Sequence, residues 1–304
     1  MPTNHPYHSP FQHLINPGHT ACSGCGLIVA MINVLDALGP NTIIANATGC
    51  SEVISSKYPQ TAFKVPWIHS LFENPVAVAS GIEASLRKNG KSGEINVVAW
   101  GGDGAMFDIG MGFISASWER RENIMIVCLD NEAYMNTGIQ ASAATPLDTY
   151  TMTSPSGKRS CGNTLTKKDM VRLALAHDVP YVATATIGDL IDLTNKVKKA
   201  AKIKGPKYIQ VLTTCVPGWN TDPKDSINLA RLAQQTGIYP VLEYEFGKLA
   251  AVKKVSKDRP PVEEYLKPQG RFRHLFSKSG SCQAGVAAIQ KMADDNVEKF
   301  GLLK

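Results

Sequence analysis

The chain places a carboxylate and an amide at matching positions after two apolar segments. Asp103 stands in a Gly-Asp-Gly triplet after the largely apolar run 95–100, and Asn131 comes directly after such a run at 124–129 and Asp130. Both runs predict buried strands joined through a helix, and parallel pairing would bring the two side chains to one sheet edge. Because Mg²⁺ prefers oxygen ligands, these side chains and the Ala133 carbonyl form a candidate magnesium site, with phosphate completing it.

The glycine triplet has other interpretations. A dinucleotide-binding turn needs a third glycine, but the sixth position counted from Gly102 is Phe107. A phosphate loop is excluded because no Gly-Lys-Ser/Thr sequence follows. An ordinary structural turn stays open, since Gly-Asp-Gly also occurs in turns that bind nothing.

Four of the seven cysteines lie at predicted ends of helices or strands. Cys22 and Cys25 form a CxxC pair at the start of a predicted helix. Cys50 follows a short strand, and Cys215 follows the last predicted strand. Four thiolates can bind Zn²⁺ or an iron–sulfur cluster, and one close pair with two distant single cysteines favours the cluster. A CxxC pair alone would also be typical of a thiol redox site.

The other three cysteines have different expected roles. Cys128 lies inside an apolar run and is expected to pack in the core. Cys161 and Cys282 lie in polar segments without a partner pattern, so they are expected to be free thiols.

The chain-wide pattern predicts an α/β fold with a mainly parallel sheet flanked by helices. Predicted helices cover 27–38, 75–87, 109–118, 167–176, 187–202 and a segment from about 283, and predicted strands cover 42–45, 95–100, 124–129, 181–186 and 208–213. The segment 132–165 has no clear period and is expected to be a functional loop. We expect residues 1–218 to form the cofactor-binding domain and 219–304 to form a C-terminal extension for subunit contacts, with an extended arm at 259–272.

Composition restricts the class of protein. Of 304 residues, 43% are hydrophobic and 19% are charged, as in globular proteins with a substantial core. No apolar stretch approaches the length of a membrane helix, and the N-terminal residues lack signal-peptide character, so a cytoplasmic location without membrane contact is expected. The net charge of +6 is spread along the chain, which argues against nucleic-acid binding and favours an anionic substrate or an acidic partner.

Five motifs in order resemble one family. CSGCG, ATGCSE, GGDGAMFDIG, LDNEAYMNTGIQASAATP and TTCVPGW are similar to the β subunit of 2-oxoacid:ferredoxin oxidoreductases, most of all the pyruvate type. The resemblance covers nearly the whole chain, including the segment PVEEYLKPQGRF. It implies a thiamine diphosphate-binding fold and a subunit that carries one [4Fe-4S] cluster.

The resemblance also implies roles for individual positions. The implied cluster ligands are Cys22, Cys25, Cys50 and Cys215. The implied Mg²⁺ ligands are Asp103, Asn131 and Ala133. The implied thiamine diphosphate contacts are Gly49, Cys50, His69, Gly102, Asp103, Gly104, Asn131, Ala133, Asn136 and Thr137. Asn136 is also the candidate catalytic residue, whereas His69 could equally be structural and Glu132 is expected to point away from Asn131. One departure is Leu27, where several relatives carry an acidic residue.

For function, the resemblance implies oxidative decarboxylation of a 2-oxoacid. Pyruvate would give acetyl-CoA and CO₂, with coenzyme A as acyl acceptor and electrons passing through the cluster to ferredoxin. The expected partners are α, γ and δ subunits, or fused equivalents. One of them would supply the glutamate that activates the cofactor, so the chain alone should be inactive.

Three alternatives remain open at this point. The first keeps the family and changes the substrate to oxalate, a branched-chain 2-oxoacid or 2-oxoglutarate. The second is a non-catalytic iron–sulfur electron-transfer subunit. The third is a binding module stabilised by zinc.

Overall fold

A computed structural model describes residues 13–57, 59–277, 282 and 284–304. The strands are β1 Thr42–Asn46, β2 Trp67–His69, β3 Asn96–Gly102, β4 Ile124–Asp130, β5 Ser156–Gly157, β6 Ser160–Cys161, β7 Tyr181–Thr186, β8 Lys207–Leu212, β9 Leu242–Glu245 and β10 Lys248–Val252. The helices are α1 Gly26–Leu38, α2 Cys50–Val53, α3 Pro75–Lys88, α4 Met111–Glu119, α5 Met170–Ala176, α6 Leu190–Lys202, α7 Val216–Trp219, α8 Ser226–Gln235, α9 Val262–Leu266 and α10 Ala284–Lys299. A π-helical turn spans Gly104–Ile109, and 3₁₀ turns span Pro223–Asp225 and Gly270–Phe276.

Eight strands form one sheet in the order β10-β9-β7-β8-β4-β3-β1-β2. The strands β1, β2, β3, β4, β7 and β8 pair in parallel, whereas β9 pairs antiparallel with β7 and β10 antiparallel with β9. The short strands β5 and β6 form a separate hairpin. The expectation of a mainly parallel α/β sheet is therefore confirmed.

Helices cover both faces of this sheet, which explains the continuous apolar runs. In β3, Val98 and Trp100 enter the core beneath α1 and α6. Val97 and Ala99 enter the opposite core beneath α3, α4 and α5. A parallel strand buried on two faces has no solvent side, so its sequence reads as apolar throughout.

The register of β3 and β4 sets the position of the candidate site. Gly102 pairs with Leu129 near the carboxyl ends of these strands. Asp103 and Asn131 follow within two residues of that pair, so they emerge side by side at the sheet edge, as the sequence predicts.

The strand β8 is not the last strand, contrary to the sequence interpretation. A hairpin of β9 and β10 extends the sheet beyond β7. Phe246 and Gly247 form its two-residue turn, and both have positive φ, as type I′ hairpin turns require. β10 is exposed at the sheet edge, which gives it a weak hydrophobic pattern. This hairpin belongs to the segment 219–304 and pairs with a strand of the segment 1–218. The boundary between the two predicted domains stays a prediction.

The segment 259–272 was expected to be an extended arm, and this is wrong. It contains α9 and the start of the 3₁₀ turn Gly270–Phe276. Val262, Tyr265 and Leu266 have helical spacing and are buried against a core that includes Trp219. The two prolines before α9 favour an extended chain only up to the helix start.

The expectation of free thiols at Cys161 and Cys282 is also wrong. These residues form a disulfide across 121 positions of sequence. The 3₁₀ turn Gly270–Phe276 lies against β6, because His274 Nε2 is 2.8 Å from the Cys161 carbonyl oxygen. A pairing over such a separation leaves no local sequence pattern.

Smaller differences concern element boundaries. At the predicted helix 109–118, the π-helical turn ends at Ile109 and α4 begins at Met111. The predicted helix 167–176 begins only at Met170, capped by Asp169. His69 ends the edge strand β2, which is absent from the predicted strands. The C-terminal helix begins at Ala284, and the expected starting position 283 lies outside the described residues. Within the described parts of the chain, none of the helices is both long and apolar enough to span a bilayer.

Candidate functional site

The glycine turn after β3 is a tightly packed element. A Cβ atom at Gly104 would lie 2.5 Å from the ring of Tyr134, and one at Gly110 would lie 2.3 Å from the Ala105 carbonyl oxygen. A side chain at Gly104 would push the turn away from the loop after β4, and one at Gly110 would disturb the turn itself. Glycine is therefore needed here to bring Asp103 close to that loop.

Three oxygen-bearing groups converge beyond this turn. The side-chain amide of Asn131 has one atom 2.9 Å from Asp103 Oδ1 and 2.9 Å from the Ala133 carbonyl oxygen. Placed as oxygen, that atom faces only acceptors, and placed as nitrogen it donates to both. Cis ligands of an octahedral Mg²⁺ lie about 2.9 Å apart, from Mg–O bonds of about 2.0–2.1 Å. The spacing and the donor chemistry both fit a magnesium ion.

Asp103 is fully buried and has few polar contacts. Its Oδ1 accepts the Asn131 backbone N–H at 3.2 Å, and its Oδ2 accepts the Ser142 hydroxyl. Burial, together with the nearby Asp130 carboxylate, raises the pKa of Asp103 to about 8, although the Ser142 hydrogen bond opposes this. A cation at the carboxylate would stabilise its charged form and remove this penalty.

A cavity of about 160 Å³ lies beside these oxygens. Its lining is Leu27, Thr48, Gly49, Cys50, Ser51, Phe72, Gly102, Gly104, Asn131, Ala133, Tyr134, Met135, Asn136 and Thr137. Asn136 and Thr137 are exposed at its mouth. His69 is not part of the lining, but its Nε2 lies 2.8 Å from Thr48 Oγ1. The cavity therefore brings together the predicted glycines, asparagines and Cys50, and His69 lies one side chain away.

Comparison with known proteins gives the family. The model described as thiamine pyrophosphate enzyme, C-terminal TPP binding domain, matches residues 47–211. Pyruvate synthase subunit PorB of Methanosarcina barkeri is 48% identical over 288 residues, which cover 95% of this chain and 97% of that protein. The chain belongs to the β subunits of 2-oxoacid:ferredoxin oxidoreductases. Members of this family are thiamine pyrophosphate enzymes that work as parts of multi-subunit oxidoreductases.

Other relatives of this β subunit carry different names. Ketoisovalerate oxidoreductase subunit VorB of Pyrococcus furiosus is 42% identical over 296 residues, covering 96% of this chain and 93% of that protein. The solved 2-oxoglutarate:ferredoxin oxidoreductase from Magnetococcus marinus, with 2-oxoglutarate, coenzyme A and succinyl-CoA bound, aligns with a TM-score of 0.56 at 23% identity. That alignment covers 72% of this chain and 79% of the other, and it shows a shared fold.

Three cysteines of the β subunit lie where helices begin. Cys25 precedes α1, Cys50 is the first residue of α2, and Cys215 precedes α7. Burial raises the pKa of Cys215 to about 11, but the Gly218 backbone N–H opposes this rise. Burial likewise raises the pKa of Cys25, against the N–H groups of α1. Helix N-termini favour thiolates, so these positions suit thiolate ligands.

Three of the predicted cluster cysteines affect the pKa of the fourth, Cys50. Burial raises the pKa of Cys50 to about 12, and the neighbouring Cys215, Cys25 and Cys22 add to the rise. The CxxC loop packs tightly here, because Gly26 N donates to the Thr214 carbonyl oxygen at 3.0 Å. The described part of the chain contains no group of three or more His, Cys, Asp and Glu side chains that could hold a metal ion. The cluster ligands therefore remain a prediction, whereas Cys128 packs in the core as expected.

Sequence analysis missed a buried ionic network behind the candidate site. Lys167 Nζ lies 2.6 Å from Asp130 Oδ2 and 2.9 Å from Glu132 Oε1. Arg271 Nη2 lies 2.6 Å from Glu132 Oε2. Burial opposes ionisation of Glu132, but Lys167 and Arg271 together lower its pKa. These contacts confirm that Glu132 points away from Asn131, and they join the loop after β4 to the C-terminal segment.

Proposed function

We propose that this β subunit holds thiamine diphosphate and Mg²⁺ in an enzyme that oxidatively decarboxylates pyruvate, giving acetyl-CoA and CO₂. The observation that carries the proposal is the Asn131 side-chain amide atom beside the cavity, which lies 2.9 Å from both Asp103 Oδ1 and the Ala133 carbonyl oxygen. These residues would hold Mg²⁺, which would in turn bind the diphosphate of the cofactor. When bound, thiamine diphosphate supplies an electron sink for loss of CO₂.

The chain's own residues would bind and orient the cofactor. Gly102 and Gly104 line the cavity without side chains, so a diphosphate could approach the backbone closely. Asn136 and Thr137, exposed at the mouth, would donate hydrogen bonds to the cofactor or substrate. Thr48 would hold His69 at the rim through their 2.8 Å contact. Asn136 is our candidate for direct contact with reacting atoms.

We further propose that Cys22, Cys25, Cys50 and Cys215 hold a [4Fe-4S] cluster. Cys50 lines the cavity, so a cluster on this thiolate would lie beside the cofactor. The mutual effects of the thiols on pKa support their proximity. Electrons would leave the site through this cluster toward ferredoxin.

The cavity supports pyruvate over a dicarboxylic substrate. Its apolar walls include Leu27, Phe72 and Met135, and no Lys, Arg or His stands among its lining residues in the described parts of the chain. A second carboxylate, as in 2-oxoglutarate, would lack a cationic partner on this wall. The 48% identity to the pyruvate synthase subunit agrees with this choice, and the 42% identity to the ketoisovalerate subunit makes a branched-chain 2-oxoacid the second candidate.

The proposal places the chain in a cytoplasmic complex with α, γ and δ subunits, or with fused equivalents. Among the cavity-lining residues that the structure describes there is no glutamate. A glutamate from a partner subunit would activate the cofactor, so the isolated chain is expected to be inactive. Coenzyme A would enter from the complex as the acyl acceptor.

Two matched pairs of variants in the anaerobically purified complex test the proposal. Cys50→Ala should lose iron and acid-labile sulfide, whereas Cys128→Ala, which alters a core thiol, should keep both. Asp103→Asn should lose thiamine diphosphate, whereas Asp148→Asn should keep it. Equal iron in the two cysteine variants would remove Cys50 from the ligand set, and equal cofactor in the two aspartate variants would refute the magnesium site.

The substrate is tested separately with the wild-type complex. Pyruvate should be turned over with the highest kcat/KM and should yield acetyl-CoA. A preference for 2-oxoisovalerate, giving the branched acyl-CoA, would favour the second candidate. Oxidation of oxalate without coenzyme A would refute both.

A further inference from the structure

The indole of Trp219 connects the segment proposed to bind magnesium with the segment proposed to bind the iron–sulfur cluster. Trp219 ends α7, and its backbone N–H donates to the Cys215 carbonyl oxygen at 2.8 Å. Its ring Nε1 donates to the Asn131 carbonyl oxygen at 2.9 Å. One residue thus contacts the proposed cluster segment through its backbone and the proposed magnesium segment through its ring.

This hydrogen bond is specific to one indole. The chain has four tryptophans, all within the described residues. The Nε1 atoms without a hydrogen-bond partner are those of Trp67, Trp100 and Trp118. Trp219 is fully buried and differs from the others because its Nε1 satisfies a buried backbone carbonyl. Loss of that donor would leave the Asn131 carbonyl unpaired in the interior.

Arg271 packs on a face of the Trp219 indole. The guanidinium carbon lies 3.9 Å from the centroid of the Trp219 ring, a cation–π contact. The same guanidinium pairs with Glu132 at 2.6 Å, and Glu132 directly follows Asn131. The Trp219 and Tyr265 rings are perpendicular, with ring centroids 6.3 Å apart. The indole therefore cannot move without disturbing the loop after β4.

We propose that Trp219 is a positioning residue that couples the magnesium segment at Asn131 to the cluster segment at Cys215. This inference rests on the proposed function, because it presumes that both groups bind. Mg²⁺ and thiamine diphosphate bound at Asn131 hold the indole in place, and the indole holds the start of α7, where Cys215 lies. Release of the cluster requires Cys215 to move away, which would pull α7 and its indole from Asn131.

Linkage between the two sites follows from this geometry. A ligand that binds only the closed arrangement suppresses opening by a factor of 1 + [L]/Kd, and the effect is reciprocal. At about 100 times its dissociation constant, such a ligand can slow opening by up to about a hundredfold. We therefore expect Mg²⁺ and thiamine diphosphate to slow removal of the cluster by about tenfold or more.

The test measures iron release from the anaerobic wild-type complex into a ferrous chelator, with and without saturating Mg²⁺ and thiamine diphosphate. Clusters in partner subunits also release iron, so the phase missing from the Cys50→Ala complex identifies the cluster of this chain. The variant Trp219→Phe keeps an aromatic ring over Arg271 but lacks the Nε1 donor. Trp118→Phe is its matched control, because it removes a buried indole N–H that has no partner.

We expect protection by the cofactor in wild type and in Trp118→Phe, and less than about twofold protection in Trp219→Phe. The dissociation constant for Mg²⁺ and thiamine diphosphate should also rise about tenfold in Trp219→Phe, as when other partners of metal ligands are removed. Equal protection in Trp219→Phe and wild type would overturn the proposal. Wild-type iron release that is the same with and without cofactor would also overturn it, even if Trp219→Phe fails to assemble. Wild-type complex that lacks iron or thiamine diphosphate would instead refute the proposed function.

Discussion

Replacing Arg271 with methionine should destabilise the protein strongly. The buried network contains two carboxylates, Asp130 and Glu132, and two cations, Lys167 and Arg271. Arg271→Met leaves two carboxylates sharing one lysine in a site where Glu132 is buried. Breaking a buried ion pair by removing one partner costs about 3–5 kcal/mol. For a chain of 304 residues, with an unfolding entropy of about 2.1 cal/mol/K per residue, this corresponds to a fall in Tm of roughly 5–8 °C.

Scanning calorimetry of the purified complex measures this change. The double variant Glu132→Gln/Arg271→Met is the decisive comparison, because it leaves Asp130 paired with Lys167 and no uncompensated charge. It should recover much of the lost Tm. If the double variant is no more stable than Arg271→Met, then charge balance does not explain the stability of this network. The packing of Arg271 on Trp219 would then have to explain it.

Three further outcomes follow from single sites. Burial lowers the pKa of Lys207 to about 8, whereas an unfolded lysine has a pKa of about 10.4. Between these two values the free energy of unfolding rises with pH, because the unfolded chain binds more protons than the folded one. Lys207→Met should flatten that rise when the free energy of unfolding is measured in urea. Gly104→Ala places a Cβ 2.5 Å from the neighbouring tyrosine ring and should weaken thiamine diphosphate binding by about 1–3 kcal/mol in a titration, whereas Gly112→Ala, with open space at the Cβ, should not. Mass spectrometry of non-reduced peptides should find Cys161 joined to Cys282, and separate alkylated peptides from protein prepared without reductant would contradict the disulfide.

The parts predictable from the sequence depend on short-range patterns. The runs 95–100 and 124–129 are apolar because β3 and β4 are buried on both faces, so their positions are visible in the sequence. Once these strands are recognised, parallel pairing brings Asp103 and Asn131 together without further information. The position of α1 next to the CxxC pair follows from its helical spacing and from Gly39, which ends the helix.

The parts that sequence did not predict depend on contacts between distant segments. Glu132 and Arg271 are 139 positions apart, and neither stands in a pattern that names its partner. The same holds for the disulfide, whose cysteines lie 121 positions apart. α9 was missed because five residues are too few for a clear helical period, and its burial depends on Trp219. The hairpin β9–β10 was missed because its turn, Phe246-Gly247, has glycine at only one of the two positions with positive φ and lacks the Asn-Gly or Asp-Gly pair typical of such turns.

We propose that this chain binds thiamine diphosphate and an iron–sulfur cluster together. The most direct measurement is the content of thiamine diphosphate, magnesium, iron and acid-labile sulfide in the anaerobically purified wild-type complex. We expect one thiamine diphosphate and one magnesium per copy of this chain, with about four irons after subtraction of partner clusters. Zinc in place of iron, or iron without thiamine diphosphate, would contradict it.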